Sequence, residues 1–353
     1  VYKPMMRTYL VYSNEGLTMK LRYYLSMRLL LAIPTFLLLM TGVFFMMHVL
    51  PGDPVTIMFG DRYPTAYIDE IKAAYGLDRP LWDQYVEFLQ DLTSFDLGIS
   101  MVYKVPVIRK VRDVFPTTIE VAIGGLLLAI IMGVPLGVIS ALKRDTPFDH
   151  ITRIVTLYLH STPGFWLALL MQLALGFYLD IVPISGRSPP GFRLTEITGM
   201  YVVDSLLTLN FKALRQSVRY LLLPWLTIAI TTVPYLSRLS RAAMLNVLGD
   251  DYITTARAKG LPDRVITYKH ALRNALLPIV TSVGGSFTAL LGGTVITEKI
   301  FALPGLGGLL MDALTSRDFT MIQGVVAIYA IIVVLMNTII DIVYAMADPR
   351  VKY

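Results

Sequence analysis

The sequence predicts an all-α membrane protein with six transmembrane helices. Of its 353 residues, 55% are hydrophobic and only 16% are charged, whereas soluble proteins have about 25% charged residues. Six stretches of 18 to 26 residues contain no Asp, Glu, Lys or Arg. A helix rises about 1.5 Å per residue and the hydrocarbon core is about 30 Å thick, so each stretch is long enough to span it. This pattern excludes a soluble enzyme and a disordered chain.

The first span is 29–52, a stretch too long for a signal-peptide core and without a small-residue cleavage pattern after it. The second is 114–142, with its charge-free part at 121–142. The remaining four spans are 154–179, 220–237, 274–297 and 319–340.

The distribution of charge predicts that both termini lie in the cytoplasm. An even number of spans places both termini on the same side of the membrane. If that side is the cytoplasm, the cytoplasmic segments carry a net charge of +9 and the external segments carry −2. Cytoplasmic segments are enriched in Lys and Arg. The overall charge of +6 therefore fits a membrane surface better than nucleic acid. The predicted segments outside the membrane are a cytoplasmic N-terminal segment (1–28), an extracytoplasmic insertion (53–113), an extracytoplasmic loop (180–219), a cytoplasmic loop (238–273) and a cytoplasmic tail (341–353).

The two larger extracytoplasmic segments differ in composition. The insertion contains a helix-like stretch, 66–75, ended by Gly76, and then an aromatic stretch with Trp82, Tyr85 and Phe88. Such aromatic density is unusual in disordered segments, so we predict that the insertion is folded. The loop 180–219 opens with several Pro and Gly residues, which is typical of turns rather than of a core.

The sequence contains no motif for catalysis or for binding a cofactor. It has no P-loop, no G-x-S-x-G, and no paired histidine motif among its four His residues. With no Cys at all, a thiolate metal site and a cysteine nucleophile are excluded. We therefore expect no catalytic residue, metal or cofactor in this chain, and any ATP must be bound by another subunit. The run 304–308, Pro-Gly-Leu-Gly-Gly, is interpreted as a turn before the sixth span.

The most informative stretch is 249–263, in the predicted cytoplasmic loop. Asp250 and Asp251 suit a helix start, Gly260 suits the left-handed residue beyond a helix end, and Pro262 suits the start of the next helix. We predict a short helix, a tight turn and a second helix.

Ala256 and Gly260 are four residues apart, so they are expected to share a face with almost no side chain, beside the basic Arg257 and Lys259. Such a face suits close docking against another protein. A basic loop lying on anionic lipid is an equally good interpretation from periodicity alone.

Polar residues inside the spans are candidates for a substrate pathway. Glu120 suits a substrate or proton ligand, because acids within spans usually mark function. The favoured interpretation is a capping box, since Thr117-x-x-Glu120 follows Pro116 at an expected helix start.

Four other polar side chains in the spans either line a pathway or bridge packed helices, and bridging is the favoured interpretation: Gln172, Asn337, Gln323 and His160. We retain Glu120, Gln172 and Asn337 as candidate pathway residues. Two glycine pairs, Gly284-Gly285 and Gly292-Gly293, offer small surfaces for packing between helices or across a pair of subunits.

The stretch 256–261, Ala-Arg-Ala-Lys-Gly-Leu, followed by 270–278, His-Ala-Leu-Arg-Asn-Ala-Leu-Leu-Pro, resembles the cytoplasmic signature of peptide-type ABC importer permeases. The similarity extends over most of the chain. It includes 51–54 (Pro-Gly-Asp-Pro), 76–80 (Gly-Leu-Asp-Arg-Pro), 96–98 (Asp-Leu-Gly), 163–166 (Pro-Gly-Phe-Trp), 301–307 (Phe-Ala-Leu-Pro-Gly-Leu-Gly) and 348–350 (Asp-Pro-Arg). Their order and spacing are similar to the first permease subunit of the oligopeptide, dipeptide and nickel group.

This resemblance implies a type I importer core paired with a second, similar permease, two cytoplasmic ATPases that carry ATP and Mg, and an extracytoplasmic binding protein. It implies that a short helix docks in a groove on the ATPase, and we assign that role to Thr254, Thr255, Ala256, Arg257, Ala258, Lys259, Gly260 and Leu261. The family motif begins Glu-Ala-Ala six residues before the glycine, where this chain has Thr254, so a glutamate-specific contact is not expected.

The function implied is import of peptides across the cytoplasmic membrane, with nickel, glutathione or short oligosaccharides as alternative solutes. The competing hypothesis is an ATP-independent secondary transporter or channel, which would need ionisable pathway residues such as Glu120. Because 19–28 is similar to the usual start of such permeases, we expect the first 18 residues to be dispensable.

Overall fold

The computed structural model describes residues 27, 30–48, 55 and 64–347. Within these ranges the regular secondary structure is helical, with turns and loops between the helices and one isolated β-bridge between Ile99 and Pro106. The helices are α1 (Leu30–His48), α2 (Thr65–Ala74), α3 (Leu81–Thr93), α4 (Val107–Leu142), α5 (Pro147–Ser161), α6 (Gly164–Tyr178), α7 (Tyr201–Leu207), α8 (Phe211–Leu248), α9 (Asp251–Ala258), α10 (Asp263–Ile300), α11 (Leu306–Ser316) and α12 (Phe319–Ala347).

Among the described residues, five helices are long and apolar enough to cross a membrane: α1, α4, α8, α10 and α12. A sixth span results if α5 and α6 are counted together. Three of the helices extend well beyond the charge-free stretches: α4 begins at Val107, α8 covers Phe211–Leu248, and α10 begins at Asp263. Spanning helices therefore continue into the charged segments that border them.

The predicted third span, 154–179, is not one straight helix. Helices α5 and α6 meet at an angle of 100°. Thr162 and Pro163 both have extended backbone conformations at the break, with ψ of 129° at each residue. A proline disfavours the helical conformation of the residue before it, so Thr162 ends α5 and Pro163 sets the start of α6.

The predicted capping box at Glu120 is wrong. Helix α4 starts at Val107 with Pro106 at its N-cap, and Pro116 lies inside the helix. Thr117 and Glu120 are therefore three turns into α4. Proline in a helix interior removes one backbone hydrogen bond but does not always end the helix, particularly in membrane helices where neighbours stabilise the backbone.

Helices α4 and α8 form the centre of the bundle, and glycines on α4 allow their close approach. A Cβ atom at Gly125 would lie 2.6 Å from Cβ of Ile228, and one at Gly137 would lie 2.2 Å from the backbone oxygen of Ser237. Real Cβ atoms essentially never make contacts that short. Only glycine therefore permits this interface, which is the small-residue packing expected in membranes.

The insertion between α1 and α4 is folded where the structure describes it. Helix α2 ends as predicted before Gly76, which has a φ of +67°. Tyr85 and Phe88 of α3 pack against Phe44 of α1, with ring centroids 5.3 Å apart in each case. Tyr85 Oη also hydrogen-bonds Thr41 Oγ1 at 2.7 Å. The aromatic stretch thus attaches α3 to the first span, with Trp82 left exposed.

Buried Asp318 joins the end of this insertion to the last span. Its carboxylate accepts hydrogen bonds from the backbone N–H of Met321 in the first turn of α12, and from Ser100 Oγ and the N–H groups of Met101 and Val102. Asp318 therefore caps α12 and fixes the turn that precedes α4.

The loop 180–219 is only partly made of turns. Its second half forms α7 and the beginning of α8, and Val182 in its first half is buried in a hydrophobic cluster with Leu221 and Phe301. Several sequence motifs lie outside the described residues, namely 51–54, 348–350, the first 18 residues and the end of the tail.

Candidate functional site

Helix α9 and the turn after it have the predicted helix–turn–helix form. Asp250 is the extended residue before α9, and Gly260 has a φ of +73°. The N–H of Gly260 donates to Arg257 O at 2.9 Å, and the N–H of Leu261 donates to Ala256 O at 3.3 Å. These bonds close the helix end in the manner expected of a left-handed glycine.

Helix α9 sits in a socket formed by the ends of three long helices. Its inner side buries Ile253 and Ala256. The apolar residues that surround them come from α4, α8 and α10: Val138, Ala141, Ala243, Met244, Ile266, Ala271, Ala275 and Ile279. A displacement of α9 is therefore transmitted through this apolar cluster to the helix ends that share it, since packed side chains transmit strain.

The outer side of α9 is small, polar and basic. Thr254, Thr255, Arg257, Ala258 and Lys259 are all exposed. No ion pair of Arg257 or Lys259 is found within the described part of the chain. Two basic groups are therefore exposed on this side of α9.

The predicted shared face of Ala256 and Gly260 is wrong for Ala256. Ala256 is 8% exposed and belongs to the socket, whereas Gly260 is exposed and has no atom within 4 Å of the position of an added Cβ. Because Gly260 follows the helix in a left-handed conformation, the four-residue spacing no longer places both residues on one face.

Glu120 is buried by partners within the chain. Its Oε2 accepts a hydrogen bond from Arg187 Nη2 at 2.7 Å, and its Oε1 accepts one from the N–H of Val202. Arg187 also lies 3.7 Å from the centre of the Tyr201 ring. The carboxylate thus anchors the loop before α8 onto α4.

The two other candidate pathway residues have different surroundings. Gln172 Nε2 donates to Ile184 O at 2.8 Å and to Ile300 O at 2.9 Å, so this side chain bridges elements, as the favoured interpretation predicted. Asn337 is exposed on α12. Of the remaining two polar residues, Gln323 is half-buried and His160 is exposed.

A cavity of about 300 Å³, lined by both apolar and polar side chains, lies beside the break between α5 and α6. The hydroxyl-bearing residues Thr162, Thr227, Thr231 and Thr297 line it, together with His160 and Gly293. The cavity therefore joins the break to α8 and to the glycine-rich side of α10. Of its lining, only His160 was among the polar residues that the sequence analysis singled out.

The structure also shows buried ionic residues that the sequence analysis missed. Asp149 of α5 is fully buried and is bound by Arg241 of α8. Glu298, near the end of α10, accepts hydrogen bonds from Thr118 Oγ1 at 2.7 Å and from the N–H of Gly308 at 3.0 Å.

The glycine-rich run 304–308 fits around Glu298. A Cβ atom at Gly305 would lie 2.2 Å from the carboxyl carbon of Glu298, so the turn needs glycine there. The N–H of Leu306 donates to Thr118 Oγ1 at 2.8 Å. Pro304 and Gly305 therefore lie in a turn that holds a carboxylate, and the last three residues of the run, 306–308, begin the short helix α11 before the last span. A Glu placed just before a Pro-Gly-Leu-Gly-Gly run was the signal for this arrangement, because glycine N–H groups are suited to a carboxylate.

A bundle of membrane-spanning helices with a cavity beside a broken span, and with a separate short helix seated on the ends of three spans, defines a multi-pass membrane protein of the transporter type. The sequence pattern of the "Binding-protein-dependent transport system inner membrane component" family matches residues 133–353, and the pattern of the N-terminal part of such membrane components matches residues 20–122. The chain belongs to this family, and it is a multi-pass inner membrane permease subunit of the ABC importer type.

Curated relatives match over nearly the whole chain. The dipeptide transport system permease protein DppB of Alkalihalophilus pseudofirmus is 36% identical over 330 residues, which cover 94% of this chain and 99% of the relative. DppB of Escherichia coli is 36% identical over 94% of this chain and 98% of its own length. The probable D,D-dipeptide transport system permease protein DdpB of Escherichia coli is 39% identical over 87% of this chain and 91% of its own length.

A solved structure shares the fold. A chain of the MetNI methionine ABC transporter in an inward-facing conformation superposes with a TM-score of 0.52 at 16% identity, covering 69% of this chain and 96% of that chain. The predicted type I importer core is thus confirmed.

Proposed function

We propose that this chain is the first permease subunit of an importer that moves di- or oligopeptides across the cytoplasmic membrane. In this proposal it works with a second permease, two ATPase subunits that bind ATP and Mg, and an extracytoplasmic binding protein. Relatives named as dipeptide permeases match nearly the whole chain, which supports a peptide as the solute.

The observation that carries the proposal is the placement of α9. Its inner side is fixed in a socket of α4, α8 and α10, and its outer side is basic and uncovered. A helix held in this way transfers force from a docked partner to the spans as rigid-body motion. The exposed residues of 254–261 are therefore assigned to ATPase docking, with Arg257 and Lys259 as the charged contacts, while the buried Ala256 holds α9 in its socket. Thr254, which replaces the family glutamate, is exposed and contributes a hydroxyl instead.

The second permease is proposed to pack against the glycine-rich side of α10. Gly285, Gly292 and Gly293 have no atom within 4 Å of an added Cβ, so this side is open within the chain. Gly284 differs, because it packs on Ile340 of α12. Gly293 also lines the cavity at the α5–α6 break. The solute pathway is therefore proposed to run between the two permeases, along this cavity, with Asn337 as a further lining residue.

The assembly is tested by isolating the tagged full-length chain in mild detergent from its native cells and identifying the co-purifying proteins by mass spectrometry. A similar permease and P-loop ATPases are expected. Recovery of a folded, stable chain without them would refute the proposal and favour a secondary transporter or channel.

The docking surface is tested by a matched pair of glycine variants. Gly260 and Gly191 are both exposed, have φ of +73° and +75°, and have no atom within 4 Å of an added Cβ. Arginine at either position therefore has the same backbone cost, on the order of 1 kcal/mol. Gly260→Arg is expected to abolish uptake of a labelled dipeptide and to reduce ATPase binding, while Gly191→Arg leaves both intact. Wild-type uptake by Gly260→Arg would contradict the assignment.

Orientation is tested with the same chain, which has no natural cysteine. A cysteine introduced at Thr93, exposed at the end of α3, is expected to react with an impermeant thiol reagent on intact cells. If this cysteine reacted only after the cells were lysed, residue 93 would lie on the cytoplasmic side and the proposed topology would be wrong.

A further inference from the structure

One buried carboxylate joins three helices beside the α9 socket. Asp149, in the first turn of α5, has no exposed surface. Arg241 of α8 binds it with two parallel hydrogen bonds, Nε to Oδ1 and Nη2 to Oδ2, both 2.7 Å long. Ser140 Oγ of α4 donates to Oδ1, and the N–H of Asp145 donates to Oδ2 at 3.1 Å. A two-point arginine–carboxylate pair fixes orientation as well as distance.

The residues that hold Asp149 are sequence neighbours of the socket. Ser140 lies beside Ala141, and Arg241 lies two residues before Ala243, both of which pack in the cluster around α9. The polar contact and the socket thus occupy the same turns of α4 and α8. Any displacement that α9 imposes on those turns also acts on Arg241 and Ser140.

Helix α5 has few other attachments. Its buried residues are Asp149, Thr152 and Thr156, and its exposed apolar residues include Ile151, Ile154 and Leu157. The Thr156 hydroxyl donates to the backbone of its own helix. Asp149 is therefore the principal polar link between α5 and the rest of the bundle.

The far end of α5 reaches the cavity. The helix has 15 residues, which correspond to roughly 22 Å. Its last turn contributes Leu159 and His160 to the cavity, and the break at Thr162 follows directly. A rotation imposed on the Asp149 end would be carried to the cavity by a continuous helix.

We propose that Asp149, held by Arg241 and Ser140, is a positioning residue that makes α5 move together with the α9 socket. Through this contact, movement of α9 reaches the break at Thr162 and the cavity wall. This inference rests on the proposed function, in which α9 receives the motion of the ATPases.

The test uses the complete importer and three variants of this chain. Asp149→Asn removes the charge, Arg241→Lys keeps the charge but loses the two-point geometry, and Ser140→Ala removes one hydrogen bond. Arg144→Gln is the matched control, because Arg144 is in the adjacent turn but pairs with Asp145 at the surface, with both side chains about two-thirds exposed.

Two measurements are made on each variant. Spin labels on cysteines introduced at Thr255 of α9 and Leu157 of α5, both exposed, report the distance between the helices without and with a trapped ATP analogue. The second measurement is ATP hydrolysis in proteoliposomes with and without the loaded binding protein. Co-purification of the ATPases with the unlabelled wild type is established first, and its failure would refute the proposed function rather than this inference.

In the wild type and in Arg144→Gln, we expect one narrow distance distribution in both states. In Asp149→Asn, with ATPases still bound, we expect the distribution to widen in the trapped state and stimulation by the binding protein to fall about tenfold. Arg241→Lys should give an intermediate effect and Ser140→Ala a smaller one. If Asp149→Asn fails to insert, these two variants decide the outcome. Unchanged distances and stimulation would overturn the inference, and so would an equal loss in Arg144→Gln.

Discussion

The ion pair between Glu120 and Arg187 gives the most direct test of how the loop before α8 is held on α4. The Glu120 side chain is 3% exposed and that of Arg187 is 8% exposed, and their charged atoms are 2.7 Å apart. Glu120→Gln would leave a buried guanidinium without its counter-charge. Removing one partner of a buried pair costs about 3–5 kcal/mol of the free energy of unfolding.

The expected loss for Glu120→Gln is near the lower end of that range, about 3 kcal/mol. The Gln oxygen can still accept from the N–H of Val202, and Arg187 keeps its contacts with the Tyr201 ring and Gly199 O. Glu120→Leu also loses the Val202 bond, which adds about 1–3 kcal/mol. The double variant Glu120→Leu/Arg187→Leu has no buried charge, so its loss should be at least about 2 kcal/mol less than the sum of the single losses.

Unfolding can be followed with a single reporter cysteine, because the chain has none of its own. A cysteine at Ala129, which is fully buried where α4 meets α8, becomes accessible to a thiol-reactive fluorophore only when the two helices separate. The same reporter is placed in each variant, and its labelling is measured against denaturant in detergent. The reasoning would be refuted if the double variant lost as much free energy of unfolding as the two single variants together. A loss below about 0.5 kcal/mol for Glu120→Gln would also refute it.

Two further predictions concern the free energy of unfolding: the first is measured by the same labelling, and the second by the fluorescence of the chain's three Trp residues, because thiols react too slowly at acidic pH. Gly125→Ala should destabilise the chain by about 1–3 kcal/mol, because the added Cβ meets Ile228. Gly285→Ala, whose Cβ meets nothing within 4 Å, should be neutral or slightly stabilising. Equal effects of the two substitutions on the free energy of unfolding would contradict the packing. Burial raises the pKa of Asp204, but hydrogen bonds from Thr198, Ile197 and Gly199 outweigh it and hold this pKa below its ordinary value of 3.8. Asp204 should therefore contribute stability above pH 3.8 that is lost as the pH falls through its lowered pKa in the folded chain, and Asp204→Asn should flatten this acid dependence.

The helical class and the short helix α9 were predictable because they depend on local signals. A long charge-free run can only be satisfied as a helix in a membrane, and Gly260 marks a helix end whatever surrounds it. The bend of the third span had a local signal too, since Pro163 and Gly164, which disfavour a continuous helix, lie within its charge-free run. Hydropathy cannot detect such a bend, because the residues at the break are not charged.

The buried ionic residues were not predictable in the same way. Glu120 and Arg187 are 67 residues apart, and Asp149 and Arg241 are 92 residues apart. When each span is ended at the first charged residue, Asp149 and Arg241 are assigned to solvated loops. In the structure, Asp149 lies within α5 and Arg241 lies within α8. Capping spacing similarly placed Glu120 at a helix start, because nothing near it in sequence shows that α4 begins at Val107.

The distribution of these contacts bears on which parts of the bundle can move. Helices α4 and α8 are locked along their length by glycine contacts that leave no space for sliding. Two buried carboxylates fix the segments that connect α10, α11 and α12. Glu298 holds the turn before α11, and Asp318 holds the start of α12. The open glycine side of α10 and the sparsely packed α5 both border the cavity at the α5–α6 break. Since well-packed interfaces move as units and not by continuous deformation, a displacement of α9 should be expressed at that cavity rather than between α4 and α8.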